Sequence, residues 1–179
     1  SSVVGFWTPA QASLTPVDVF ADVCTPETTV LTGAPLTNVA FALERLSKLH
    51  ISNMVTQGGF LGHLTREPLP KFVGKSQIRT YNLSSDPQAF DVVNHSERTS
   101  KMTYVTKDVC HGFVYSQKIH DRIQWSASPL SNLLRQCFEH YVKAGKTKAM
   151  HDPLAMLYML NPCMGEVVPI EMDYTTDAK

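Results

Sequence analysis

At 179 residues, 43% of them hydrophobic, the chain is long enough to bury a core and reads as one folded unit over 1–179, which excludes a disordered polymer. Lys plus Arg and Asp plus Glu number 16 each, so no net field gathers phosphate backbones or anionic lipid, and no basic stripe interleaved with aromatics marks a nucleic-acid surface. No apolar run reaches the roughly 20 residues of a membrane span, and Cys24, Cys110, Cys137 and Cys163 form no zinc or Cys-x-x-Cys pattern; a soluble cytoplasmic protein with reduced core thiols is expected.

Thr28 to Leu31, short, β-branched and apolar, predicts a strand broken by Thr32-Gly33-Ala34-Pro35. Thr37 has the hydroxyl to cap a following helix that runs to Lys48 with Val39, Leu43 and Leu46 on its apolar face. His50 to Thr56 predicts a second strand, entering Gln57-Gly58-Gly59, where paired glycines allow a sharp turn or the close approach of a ligand. Phe60 to Ile78, interrupted by Pro68, Pro70 and Gly74, predicts a long loop of the kind that borders binding sites. Asp86-Pro87 opens a helix carrying Phe90, Val92 and Val93, because an Asp can cap free amides and Pro at the first helical position loses no hydrogen bond.

Met102 to Thr106 predicts a strand and, after Lys107-Asp108, Val109 to Tyr115 a loop or short strand. Ser128-Pro129 starts another helix, in which Leu130, Leu133, Leu134, Cys137, Phe138 and Tyr141 recur at helical spacing until Gly145. His151-Asp152-Pro153 starts a shorter helix ended by Asn161-Pro162, and Val168 to Tyr174 alternates as a half-buried strand does. Strands alternating with helices imply an α/β, Rossmann-like layered domain with a largely parallel sheet. Ligands in such folds sit beyond the carboxyl ends of the strands, where Thr32-Gly33, Gln57-Gly58-Gly59, Asp108 and His151-Asp152 fall.

Four segments in order carry a resemblance. Thr32-Gly33-Ala34-Pro35-Leu36-Thr37-Asn38 is similar to TGGLTN, Gln57-Gly58-Gly59 to MGG, Tyr81-Asn82 with Asp86-Pro87-Gln88-Ala89 to FN and DPEA, and His151-Asp152-Pro153-Leu154-Ala155 matches HDPLA residue for residue. Asp108-Val109-Cys110-His111 is similar to a strand-end Asp-x-x-His. The chain thus resembles the inosine-uridine-preferring nucleoside hydrolase family over about Val30 to Tyr174.

The resemblance implies hydrolysis of the N-glycosidic bond of ribonucleosides, as in purine and pyrimidine salvage. It implies a Ca²⁺ ion held by Asp152 and the carbonyl of Thr32, with Asn82 holding ribose and His151 donating near the leaving base. Tyr81, Thr80 and Gln57 complete the expected substrate-binding set. Taken singly, Asp152 before Pro153 reads as a helix cap, Asn82 as a turn residue and His151 as an ordinary hydrogen-bonded histidine, and Asp108 with His111 is better read as a structural pair. The ordered motifs favour the functional reading of the first three.

The family's N-terminal DxDxxxDD-type aspartate cluster has no counterpart here, Thr80 stands where a glutamate is frequent, and Gln57 replaces a methionine. The expectation is therefore a partial nucleoside hydrolase-like domain lacking its N-terminal part, which a further segment, another chain or an oligomeric assembly would complete. Two other readings stay open: a catalytically inactive structural or interaction subunit, and a module that binds nucleosides without cleaving them.

Overall fold

The computed structural model describes residues 14–124 and 128–173. Helix α1 (Pro16–Val23) begins with a capping box in which Thr15 and Asp18 satisfy each other's backbone amides. Strand β1 (Thr29–Thr32) leads through the Gly33-containing turn into α2 (Thr37–Arg45), and β2 (Asn53–Gln57) follows. The segment 60–78 is a long connection with two short 3₁₀ turns, Gly62–Leu64 and Pro70–Phe72. After it come α3 (Tyr81–Ser84), α4 (Pro87–Asn94) and β3 (Met102–Val105). The remaining elements are α5 (Lys107–Cys110), β4 (Val114–Tyr115), α6 (Gln117–Ile123), α7 (Pro129–Lys143), β5 (Lys148–Ala149), α8 (His151–Leu160) and a 3₁₀ turn at Pro162–Met164.

The strands β1, β2 and β3 form a parallel sheet in that order, with Leu31 opposite Val55 and Val55 opposite Thr103. Alternation along the strands separates two apolar layers. Val30, Met54, Met102 and Tyr104 face α2 and α4, where Val39, Leu43, Phe90 and Val93 fill the larger core. Leu31, Val55 and Val105 face the other way, onto Leu154 and Ala155 of α8 and onto Cys110. A short antiparallel pair, β4 with β5, forms a separate sheet, and α6 packs against α7. The expected α/β layered fold with a parallel sheet is thus observed.

Several expectations need correction. Leu36 occupies the cap position of α2 without a side-chain cap, and Thr37 lies inside the helix, where its hydroxyl donates to Asp86 Oδ2 at 2.6 Å. Residues 107–110 form a helical turn where only the end of a strand and a loop were expected. The helix read from Ser128 exists, yet buries no residue, and Leu130 and Leu133 are exposed. Cys137 and Cys163 are exposed free thiols, whereas Cys110 is buried and Cys24, half-buried, packs against the larger core. Residues 168–173 form no strand, and Tyr174 lies outside the described residues. Pro169 has no amide to donate to a ladder, and the segment meets the rest of the fold where the Met172 carbonyl accepts from Asn94 Nδ2 at 3.1 Å.

Candidate functional site

The carboxyl ends of β1, β2 and β3 deliver Gly33, Gln57 and Lys107 to a common edge, and the first turn of α8 and the start of α3 close on it. Together Gly33, Gln57, Thr80, Tyr81, Asn82, Lys107, His151 and Asp152 line a cavity of about 230 Å³. Of the residues to which the resemblance gives a role, all but Thr32, whose backbone carbonyl was the expected ligand, line this one cavity. Thr32 is the last residue of β1, one position before Gly33, and its hydroxyl is buried without a protein hydrogen-bond partner.

Asp152 is not the helix cap. Met150 takes that position and makes no side-chain cap, while Asp152 sits in the first turn, solvent-exposed, with its carboxylate against Gly33: a Cβ built there would stand 2.8 Å from Oδ1. Only glycine leaves the carboxylate this room. His151, the first residue of α8, packs its ring edge-on against His111 with centroids 4.8 Å apart, and its Nε2 is buried without a protein partner. Burial lowers the His151 pKa; the Asp152 charge opposes this, and Lys148, Lys107 and Lys71 reinforce it. The ring is a neutral imidazole at neutral pH.

Asn82 and Gln57 are both buried, and their side chains are joined. Asn82 Nδ2 donates at 2.9 Å to the Gln57 carbonyl and at 2.9 Å to its Oε1. Gln57 Nε2 in turn lies 3.6 Å from the Sγ of Cys110. Burial, with the charges of Asp152 and Asp108 adding to it, pushes that thiol up to about 11, so it stays protonated. Thr80 accepts the Gly59 amide at 3.3 Å, and Gly59 adopts φ +81°, a conformation open to glycine. Tyr81 is 77% exposed and stands at the rim.

Asp108 and His111 do not form the structural pair expected. Asp108 accepts the Leu61 amide at 3.3 Å and the Thr65 hydroxyl, fastening the long connection after β2. His111 instead meets Lys71 and the ring of Phe72, and its pKa falls to about 4, first through burial and then through Lys71, His151 and Lys107. Lys107 is the site residue that the sequence reading missed. It donates to the Arg79 carbonyl at 3.1 Å while lining the cavity, and its only signal was its place directly after a strand.

The Ca²⁺ ion implied by the resemblance can be tested against these donors. Calcium takes six to eight oxygens. Among the described residues no group of three His, Cys, Asp or Glu side chains comes together, and Asp152 is the only carboxylate lining the cavity. The described residues do not fit a complete calcium site. Among the described residues no helix is long and apolar enough to cross a membrane.

Comparison with known proteins agrees with the motifs and the fold. The pyrimidine-specific ribonucleoside hydrolase RihA of a Shewanella species (strain ANA-3) is 30% identical over 148 residues, 78% of this chain and 43% of that protein. The RihA of Salmonella newport is 26% identical over 168 residues, 86% of this chain and 50% of that one. The chain therefore spans about half the length of the curated relatives it matches. Among solved structures, a purine-preferring ribonucleoside hydrolase from Gardnerella vaginalis superposes with a TM-score of 0.65 at 20% identity, covering 90% of this chain and 51% of that one. A plant nucleoside hydrolase, PpNRh1, gives 0.65 at 18% identity, with 85% and 48% covered. The model of the inosine-uridine preferring nucleoside hydrolases matches residues 7–179, and it is to this family that the chain belongs.

Proposed function

We propose that this chain supplies the sugar-holding side of a ribonucleoside N-ribohydrolase, which converts a ribonucleoside and water to ribose and the free base. The observation that carries the reading is the meeting of Asp152 with Gly33 and the Asn82–Gln57 pair in one cavity at the strand ends. Asn82 and Thr80 face the ribose hydroxyls. Departure of the base leaves positive charge on the sugar ring, and the Asp152 carboxylate is the anion this chain sets beside it. The neutral His151 ring donates a hydrogen bond toward the leaving base as it takes up the bonding electrons. A calcium ion here would need oxygen donors beyond those that the described residues bring to the cavity. A completing segment, a second chain or an oligomeric assembly supplies them.

Uridine and inosine are the test substrates, with base release followed by ultraviolet absorbance. Asp152→Ala should lower turnover at least about 100-fold in any active assembly containing this chain. Undiminished turnover removes Asp152 from the site.

A second reading, an interaction subunit without activity, is favoured by the apolar side chains left exposed on α7 and α8, where Leu130 is 75% and Leu160 67% exposed. A third, a module that binds nucleosides and leaves them intact, predicts a calorimetric binding signal without base release. The interaction reading predicts neither.

A further inference from the structure

We infer that Gln57 is a positioning residue, holding the Asn82 carboxamide so that only its oxygen, a hydrogen-bond acceptor, is left for a sugar hydroxyl. The inference rests on the ribonucleoside reading above for the identity of the ligand, and on hydrogen-bond geometry for the rest.

A carboxamide nitrogen carries two N–H groups. Asn82 Nδ2 spends both on Gln57, one on the backbone carbonyl and one on Oε1, each at 2.9 Å. Turning the Asn82 amide over would set its oxygen against both Gln57 oxygens. Turning the Gln57 amide over would set its nitrogen against that of Asn82. At its other end Gln57 Nε2 lies 3.6 Å from Cys110 Sγ, and the thiol, wholly buried, donates onward to the Val105 carbonyl at 3.6 Å. Polarity is thus set along the whole row, from the end of β3 through β2 to the first turn of α3, and unpaired alternatives inside such a buried row are costly.

The consequence is a defined face for the ligand. Asn82 offers an acceptor. The Thr80 oxygen already accepts the Gly59 amide, which leaves its O–H to donate. An acceptor beside a donor suits neighbouring hydroxyl groups, each of which can do both, and disfavours an anionic group set against Asn82. Gln57 therefore acts through Asn82 and need not touch the ligand.

The test is nuclear magnetic resonance on the isotopically labelled full chain, with D-ribose as the probe. In the native chain the Asn82 side-chain amide protons should exchange with water at least about tenfold more slowly than those of the exposed Asn132. In Gln57→Met the exchange should speed up and the apparent affinity for ribose fall about tenfold. Fast exchange at Asn82 in the native chain overturns the proposal without requiring any variant to fold, and so does unchanged exchange in a folded Gln57→Met. A native chain with a slow Asn82 amide that ignores ribose upholds the clamp and overturns the ribonucleoside reading, so the two failures are distinguishable.

Discussion

Replacing Gly33 with alanine separates the site from the fold. The added methyl carbon would stand 2.8 Å from Asp152 Oδ1 and 3.0 Å from its Cγ, so the carboxylate must retreat by about half an ångström to reach ordinary contact, which begins at 3.4 Å. Asp152 is exposed and can swing away, and Gly33 is not among the glycines at positive φ, so the backbone tolerates the change. Forcing a side chain off its rotamer costs about 0.5–1.5 kcal/mol. Restricting the unfolded chain by the same substitution returns about 0.4–1 kcal/mol. The net change in stability is then about 1 kcal/mol or less, a shift of roughly 2–4 °C in melting temperature for a chain of this size. The displaced carboxylate, in contrast, should lower base release at least about tenfold, since small errors of position at a reacting centre are expensive. Thermal melting, base release and the carbon chemical shift of the Asp152 carboxylate read the three quantities. A melting temperature lowered by more than about 8 °C, or an unmoved carboxylate with full turnover, refutes the reasoning.

Further outcomes follow from the core, the titrating groups and the outer helices. Phe90 is 1% exposed, so Phe90→Ala should cost about 3–5 kcal/mol, read as a lower urea midpoint at unchanged slope. His111 titrates near 6.5 when unfolded and at about 4 when folded, so between these values the unfolded chain binds a proton that the folded chain refuses. Stability should therefore be full above pH 6.5 and decline as the pH falls toward 4, and His111→Gln should flatten part of that slope in urea titrations at each pH. Exchanging Leu130 and Leu133 for glutamine should change stability by less than about 0.5 kcal/mol, because both side chains already face solvent. A larger loss would mean that the face of α7 is covered.

Much of the fold and the cavity was legible because its signals are local. The strands and α2, α4 and α8 follow from short apolar runs, turn residues and Asx-Pro starts, and the motif segments lie at strand ends because the layered topology puts them there. What escaped depends on partners distant in sequence. The spacing of Leu130, Leu133 and Phe138 announces a helix but says nothing of what covers it. Thr37 looks like a cap until Asp86, 49 residues away, takes its hydroxyl. Helix α6, Gln-Lys-Ile-His-Asp-Arg-Ile, is too polar for its period to show, whereas the Thr15–Asp18 capping box of α1 is a local signal present in the sequence. Asp152 shows the converse: its dipeptide with Pro153 suggested a cap, and the backbone placed the cap two residues earlier.

Asp86 makes two attachments with one carboxylate. Oδ1 accepts the Ala89 amide at the start of α4, and Oδ2 accepts the Thr37 hydroxyl from the start of α2. The two helices that cover one face of the sheet are thereby pinned to each other at the end nearest the cavity. Survey mutagenesis scoring activity alone would therefore flag both Thr37 and Asp86 as indispensable and tempt an assignment to substrate contact. Their joint loss in a double-mutant cycle, smaller than the sum of the single losses, would instead identify a brace shared by two motif segments.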